Sequence, residues 1–209
     1  MNDLQLSKLI FQGRGPYDFK IAPGCVAGLQ GASGAGKTLL LRAIADLDPH
    51  QGEVRLGDMV CAQVPAASWR KTVGLLPAES YWWFDTVGEH FQVPGPRIEG
   101  KLQQLGFEPD VFNWEVSRLS TGEKQRLAIV RLLQNMPRAL LLDEPTASLD
   151  AANIERTETM LVDYCRQQQV PLLWVSHDPL QLERVADIEF YLENDGTLKQ
   201  VRGEQQHGR

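Results

Sequence analysis

The sequence predicts an α/β fold with a mostly parallel sheet, and three observations carry that prediction. Two short runs, Ala139-Leu140-Leu141-Leu142 and Leu172-Leu173-Trp174-Val175, are continuously apolar, as strands buried on both faces of a parallel sheet are. Helix-like segments alternate with strand-like runs along the chain, the pattern of βα units. A strand-like run, Cys25 to Gln30, passes through a glycine-rich stretch into a helix-like run, Leu39 to Ala45. That stretch, Gly31-Ala32-Ser33-Gly34-Ala35-Gly36-Lys37-Thr38, fits the P-loop pattern G-x-x-x-x-G-K-[ST] with no mismatch. The expected architecture is therefore a P-loop NTPase core.

The remaining elements follow in order. Leu6 to Phe11 and Asp18 to Ile21 read as short edge strands before the P-loop strand. Gly52 to Leu56 and Met59 to Cys61 flank a Gly57-Asp58 turn, a hairpin signal. These strands predict an antiparallel β element near the start. Val73 to Leu76 is a short apolar strand. Helices are expected over Thr121 to Gln134, Ile154 to Gln168 and Pro179 to Val185. A last hairpin, Ile188 to Glu193 and Thr197 to Val201, turns at Asn194-Asp195-Gly196. Ala78 to Arg118 breaks the alternation. It holds Tyr81, Trp82, Trp83, Phe84, Pro94, Gly95 and Pro96, then turns helical around Ile98 to Leu105. It reads as a small, separate, mostly helical subdomain set into a core of residues 1–77 and 119–209. The polar tail from Gly203 to Arg209 is expected to fray.

A length of 209 residues suits one domain with a small subdomain. A net charge of -6 leaves no basic footprint, so nucleic acid is not favoured as a partner. Cys25, Cys61 and Cys165 are far apart and form no C-x-x-C, which fits a reducing, cytoplasmic setting with the cysteines as small apolar residues. Met1 to Ile10 has no long apolar core and no cleavage pattern, so it is not read as a signal peptide. No run approaches the ~18 apolar residues of a membrane span. Action at a membrane would need a partner.

The motifs carry the chemistry. Glycines in Gly31 to Thr38 let backbone N–H groups turn toward phosphate oxygens. Lys37 supplies a charge for the β- and γ-phosphates, and the Thr38 hydroxyl can ligate Mg²⁺. The helix that follows, from Leu39, points its dipole at the anion. The strand Ala139 to Leu142 delivers Asp143-Glu144-Pro145 at its C-terminal end, beside the P-loop in this fold class. Asp143 would hold Mg²⁺, and Glu144 would polarise the water attacking the γ-phosphate. The plainer alternative is a strand end with two solvated acids. In Leu119-Ser120-Thr121-Gly122-Glu123-Lys124-Gln125-Arg126, Ser120 and Glu123 form a capping box. That segment is either a well-capped helix only or a helix N-terminus for the γ-phosphate of a nucleotide held by another molecule. His177, after the strand Leu172 to Val175, could reach the γ-phosphate or be structural. Asp150 could simply cap the next helix.

Taken together these motifs, in this order and spacing, resemble an ABC-type ATPase cassette from about Leu4 to about Val201. The C-terminal half resembles small bacterial cassettes that pair with separate membrane subunits, the iron-export type among them. The resemblance implies that Gly31 to Thr38, with Leu39, binds the phosphates of ATP. It implies that Phe11 stacks on adenine, with Tyr17 as a competing candidate, and that Thr38 and Asp143 serve Mg²⁺. It makes Glu144 the catalytic base and His177 the switch histidine. Ser120 and Gly122 would contact the γ-phosphate of the opposite subunit, and Asp150 would link the two sites of a head-to-tail homodimer. An integral membrane permease would dock where Tyr81, Trp82, Trp83 and Phe84 lie, unless those aromatics are the core of the subdomain.

The chain departs from the family pattern at several positions. Thr121 stands where Gly is usual, Glu123 where Gln is usual, and Ala78, followed by Glu79, where a Gln ends the Val73 to Leu76 strand. The segment from Ala78 to Arg118 is short for the family. Two functions stay open: the ATPase subunit of a membrane transporter, peripheral on the inner face of the cell membrane, and a soluble regulatory ABC-type ATPase. A P-loop GTPase would need an N-K-x-D motif, which is absent, and neither a GTPase nor a small-molecule kinase explains Leu119 to Arg126.

Overall fold

The computed structural model describes residues 2–92 and 95–203. Pro94 and the tail beyond Gly203 lie outside them. Strands β1 (Leu4–Phe11), β2 (Arg14–Ile21), β4 (Gln51–Leu56) and β5 (Met59–Val60) form an antiparallel sheet in the order β2-β1-β4-β5. β1, expected at an edge, therefore runs between β2 and β4. Strands β3 (Val26–Gly31), β6 (Val73–Leu76), β7 (Ala139–Asp143), β8 (Leu172–Val175), β9 (Ile188–Leu192) and β10 (Leu198–Arg202) form the second sheet, in the order β10-β9-β3-β8-β7-β6. All its pairings are parallel except the β9–β10 hairpin. The helices are α1 (Lys37–Ile44), α2 (Ala66–Thr72), α3 (Pro96–Gln104), α4 (Thr121–Leu133), α5 (Ala151–Gln168) and α6 (Pro179–Val185).

The apolar runs become two-faced because side chains alternate along a strand. From β7 and β8, Leu141, Leu173 and Val175 face a core shared with α1 and the antiparallel sheet. Leu140, Leu142, Leu172 and Trp174 face a second core with α4, α5 and α6. Parallel pairing of β3 with β8 and of β8 with β7 brings the C-terminal ends of these strands together.

Helix α2 goes unread in the sequence. It is a seven-residue helix that begins just after Pro65, and Trp69 is its one buried residue. Trp69 Nε1 donates to the Ile44 carbonyl at 2.9 Å, tying α2 to the end of α1.

The described residues of the segment 78–118 hold α3 and three short 3₁₀ turns. Val87, Phe91, Ile98, Leu102, Phe107 and Val111 join the second core beneath the large sheet. Of the aromatic run, Tyr81, Trp83 and Phe84 are 74%, 65% and 46% exposed. Trp82 instead packs against the core, with the Arg131 guanidinium 4.4 Å from its ring centroid. The run is thus a surface strap anchored at Trp82.

His90 fixes the strap from below. It is buried, and its Nε2 accepts the backbone N–H groups of Trp83 and Phe84 at 3.0 and 3.1 Å. Nδ1 lies 3.0 Å from the Thr86 carbonyl. Two donors at Nε2 require a neutral ring with its proton on Nδ1. Burial holds its pKa below the ordinary histidine value and nearby Arg131 lowers it further, against the pull of the Thr86 and Val87 backbone and Glu89. With the folded value depressed, the unfolded chain takes up the proton first, so this site costs stability as pH falls below about 6.5. The thermal midpoint is expected to drop more between pH 7.5 and 5 in the wild type than in His90→Gln. Parallel pH profiles of the two proteins would contradict the assignment.

Candidate functional site

The P-loop turn is built from glycines whose geometry other residues would not tolerate. Gly31 and Gly36 have φ of 152° and 106°, and a Cβ on Gly31 would run into the Leu192 carbonyl. The loop leads into α1 at Lys37. Lys37 is buried, and its Nζ donates to the Gly31 and Ala32 carbonyls at 2.7 and 3.0 Å. Burial lowers its pKa, while the Glu144 and Asp143 carboxylates pull it back up.

Strand β7 ends against this loop. Thr38 Oγ1 donates to Asp143 Oδ2 at 2.7 Å. Glu144 follows with φ of 50°, a left-handed backbone uncommon outside glycine, held by its N–H on the Val175 carbonyl at 3.1 Å. Its Oε1 is buried without a hydrogen-bond partner and lies 3.3 Å from His177 Nε2. Burial raises the Glu144 pKa, and Asp143 raises it too; His177, through its ring and backbone N–H, and Lys37 oppose them.

One cavity of about 360 Å³ is lined by Ser33, Gly34, Gly36, Lys37, Thr38 and Leu39 on one side and Asp143, Glu144 and His177 on the other. Ala78 lines it as well, while Glu79 is exposed and does not. Positions from Ser33 to His177 are thus brought to one cleft at the ends of β3, β7 and β8. The adjacent oxygens of Thr38 and Asp143 suit a hard divalent cation such as Mg²⁺. Among the described residues no group of three or more His, Cys, Asp or Glu side chains is assembled for a metal. A cation at Thr38 and Asp143 would therefore take its other oxygens from phosphate and water.

Other candidate residues lie elsewhere. Phe11 and Tyr17 are each 2% exposed and stack on one another, with centroids 5.5 Å apart, so neither offers a free face to a base. What reaches the P-loop from this corner is Arg14, which donates to the Ala35 and Gly34 carbonyls at 2.5 and 3.4 Å. Its sequence, Gly13-Arg14-Gly15, reads as a turn and gives no signal of that contact. Ser120 accepts from the Glu123 N–H at 3.3 Å, and its own N–H and hydroxyl donate to the Glu123 carboxylate at 2.8 and 2.7 Å, a complete capping box. Gly122 backs onto Ser148 and Leu149, where a Cβ would meet the Ser148 carbonyl at 3.0 Å. Asp150 caps α5 by accepting from the Asn153 N–H at 2.9 Å. Asn153 Oδ1 in turn accepts from Arg126 of α4 at 3.0 Å. Ser120, Gly122 and Asp150 therefore share a second surface at the facing starts of α4 and α5. Burial pushes the Cys61 thiol up to about 11 and that of Cys165 up to about 12, consistent with inert packing residues.

A parallel sheet, a glycine loop feeding a helix, and an acidic strand end beside that loop define a P-loop nucleotide-binding protein. The ABC transporter family model matches residues 15–147. The chain belongs to that family, as a nucleotide-binding cassette. It is 32% identical to Protein STAR1 of Oryza sativa subsp. japonica, over 82% of this chain and 52% of that protein. It is 28% identical to the Probable iron export ATP-binding protein FetA of Escherichia coli (strain K12), over 90% and 88%. The chain thus spans about half of STAR1 but most of FetA. Its fold matches a bacterial Atm1-family ABC exporter with ATP bound, with a TM-score of 0.81 at 22% identity, over 93% of this chain and 38% of that one.

Proposed function

We propose that this cassette binds and hydrolyses Mg·ATP to drive a transmembrane partner. The observation that carries the reading is the convergence of Lys37, Thr38, Asp143, Glu144 and His177 on one cleft. The P-loop N–H groups and Lys37 bind the phosphates, with Lys37 exchanging its own loop carbonyls for phosphate oxygens. Thr38 and Asp143 would hold Mg²⁺, whose charge would neutralise the phosphates during transfer. Glu144 accepts a proton from the attacking water through its unpartnered Oε1. His177, 3.3 Å from that oxygen, orients the carboxylate and reaches toward the γ-phosphate. The catalytic pair is thus a base and a switch histidine.

The surface of Ser120, Gly122 and Asp150 serves the nucleotide of a second copy. The helix N-terminus of α4 attracts the γ-phosphate, and the Asp150–Asn153–Arg126 chain ties that contact to α5. Two cassettes would close head-to-tail on two ATP. Phe11 and Tyr17 would have to leave their mutual stack to reach adenine. Residues 78–118 form the subdomain that meets the permease, through Tyr81, Trp83 and Phe84, with Trp82 as anchor. No helix among the described residues is long and apolar enough to cross a membrane. The reading places the cassette at the periphery of the membrane, through that partner.

Exposed aromatics suit interface anchors, and a few such residues carry most of an interface's binding energy. A double variant, Trp83→Ala/Phe84→Ala, should retain basal ATPase activity yet lose most of the integral subunit that co-purifies with the wild type from solubilised membranes. Wild-type protein recovered from membranes with no integral subunit would argue for the regulatory, non-transport alternative.

A further inference from the structure

Outside the cleft, the second core contains a polar bridge that no motif announces. Gln181 of α6 is 3% exposed. Its Nε2 donates to Thr146 Oγ1 and to Glu158 Oε1, each at 2.8 Å. The orientation of the amide is fixed chemically, because the Glu158 carboxylate can only accept. Thr146 and Glu158 are themselves buried. The Glu158 charge is balanced by Arg184, whose Nη2 and Nε donate to its two oxygens at 2.8 and 3.3 Å.

The ends of this bridge matter. Thr146 lies two residues beyond Glu144, and Gln181 lies four beyond His177. Between His177 and Gln181 the chain is stiff. The Asp178 N–H donates to Ser176 Oγ at 3.1 Å, and Asp178 caps α6 by accepting from the Leu180 N–H at 2.9 Å. On the other side, Glu144 sits in a left-handed conformation, which persists only where its surroundings over-determine it. The Gln181–Thr146 bond is a buried side-chain link between the segment carrying Glu144 and the segment carrying His177, and Glu158 ties Gln181 to α5. Both hydrogens of this buried amide are engaged, and loss of one partner leaves the others orphaned.

We propose that Gln181 is a positioning residue for hydrolysis: its bridge to Thr146 and Glu158 sets the 3.3 Å approach of Glu144 to His177. The inference rests on the reading of those two residues given above. It acts on the arrangement of the base, not on nucleotide binding, which belongs to the P-loop.

The test uses Gln181→Met, which keeps the volume and removes both donors. The expected result is a kcat at least tenfold lower with the KM for Mg·ATP within twofold of wild type. Thr146→Val should reproduce that split, Thr146→Ser should restore kcat, and Gln181→Met/Thr146→Val should be no worse than the weaker single variant. A folded Gln181→Met with kcat within twofold of wild type overturns the proposal, as do losses that add in the double variant. If Gln181→Met does not fold, the threonine pair decides: a Thr146→Val kcat equal to that of Thr146→Ser overturns it. Retained turnover in Glu144→Gln would instead remove the role of Glu144, a separate failure read from a separate variant.

Discussion

Glu144→Gln is expected to lower ATP turnover by roughly 100- to 10,000-fold, the range of a lost general base, while Mg·ATP binding stays within a few-fold of wild type. The amide keeps the size and shape of the carboxylate, so the cleft formed with Lys37, Thr38 and Asp143 survives. What disappears is the proposed proton acceptor at Oε1, which is buried without a hydrogen-bond partner. The same burial raises the Glu144 pKa, so the acid limb of kcat should fall at a higher pH than an ordinary glutamate, near 4.3, would give. It also gives the variant a stability signature. A carboxyl whose folded pKa is raised favours the native state at low pH, and that contribution is lost as pH rises through the folded value. At neutral pH the ionised, half-buried Glu144 is therefore a burden, and Glu144→Gln should have a thermal midpoint equal to or above wild type. Phosphate release, equilibrium binding of a fluorescent ATP analogue and a thermal melt measure the three quantities. With hydrolysis blocked, saturating Mg·ATP should also drive the variant to a dimer in solution scattering. A strictly monomeric Glu144→Gln would sink the paired-cassette reading, and turnover close to wild type would sink the base.

The parts of this site that could be read from sequence are those whose chemistry is local. The P-loop needs glycines at fixed spacing because its backbone must turn inward, and Asp143 and Glu144 announce themselves by following an apolar strand. The capping box at Ser120 and Glu123 is likewise a three-residue relation, and it forms as expected. Contacts between distant segments left no such trace. Phe11 lies near the end of its strand, which suggests an available ring, yet its pairing with Tyr17 across the β1–β2 turn closes both faces. Arg14 lies on the P-loop through contacts 20 and 21 residues away in sequence. Gln181, Thr146 and Glu158 meet only because β7, α5 and α6 pack together. α2 was hidden for another reason: seven residues with one buried side chain carry no periodic stripe. β1 read as an edge because a short alternating strand looks the same with one neighbour or two.

Lys37→Met is expected to weaken Mg·ATP binding by roughly 10- to 150-fold, the equivalent of losing one hydrogen bond to a charged group at about 1.5–3 kcal/mol. Lys37 Nζ already bonds two carbonyls of its own loop, so nucleotide must displace those contacts. The exchange is favourable because phosphate oxygens are charged acceptors and peptide carbonyls are not. Asp143 and Glu144 also draw on the ammonium. Without it they present uncompensated negative charge to an incoming triphosphate, which adds to the loss. The loop itself should persist, since its shape is imposed by positive φ at Gly31, Gly34 and Gly36, and the Met side chain fills the stem's space. Isothermal titration should therefore show a large rise in Kd beside a small change in thermal midpoint. Unchanged Kd would remove Lys37 from the phosphate site. Combined with Glu144→Gln, the substitution separates capture from chemistry: at an ATP concentration that saturates Glu144→Gln alone, Lys37→Met/Glu144→Gln should stay monomeric, because the ligand that would join two copies is no longer held by either.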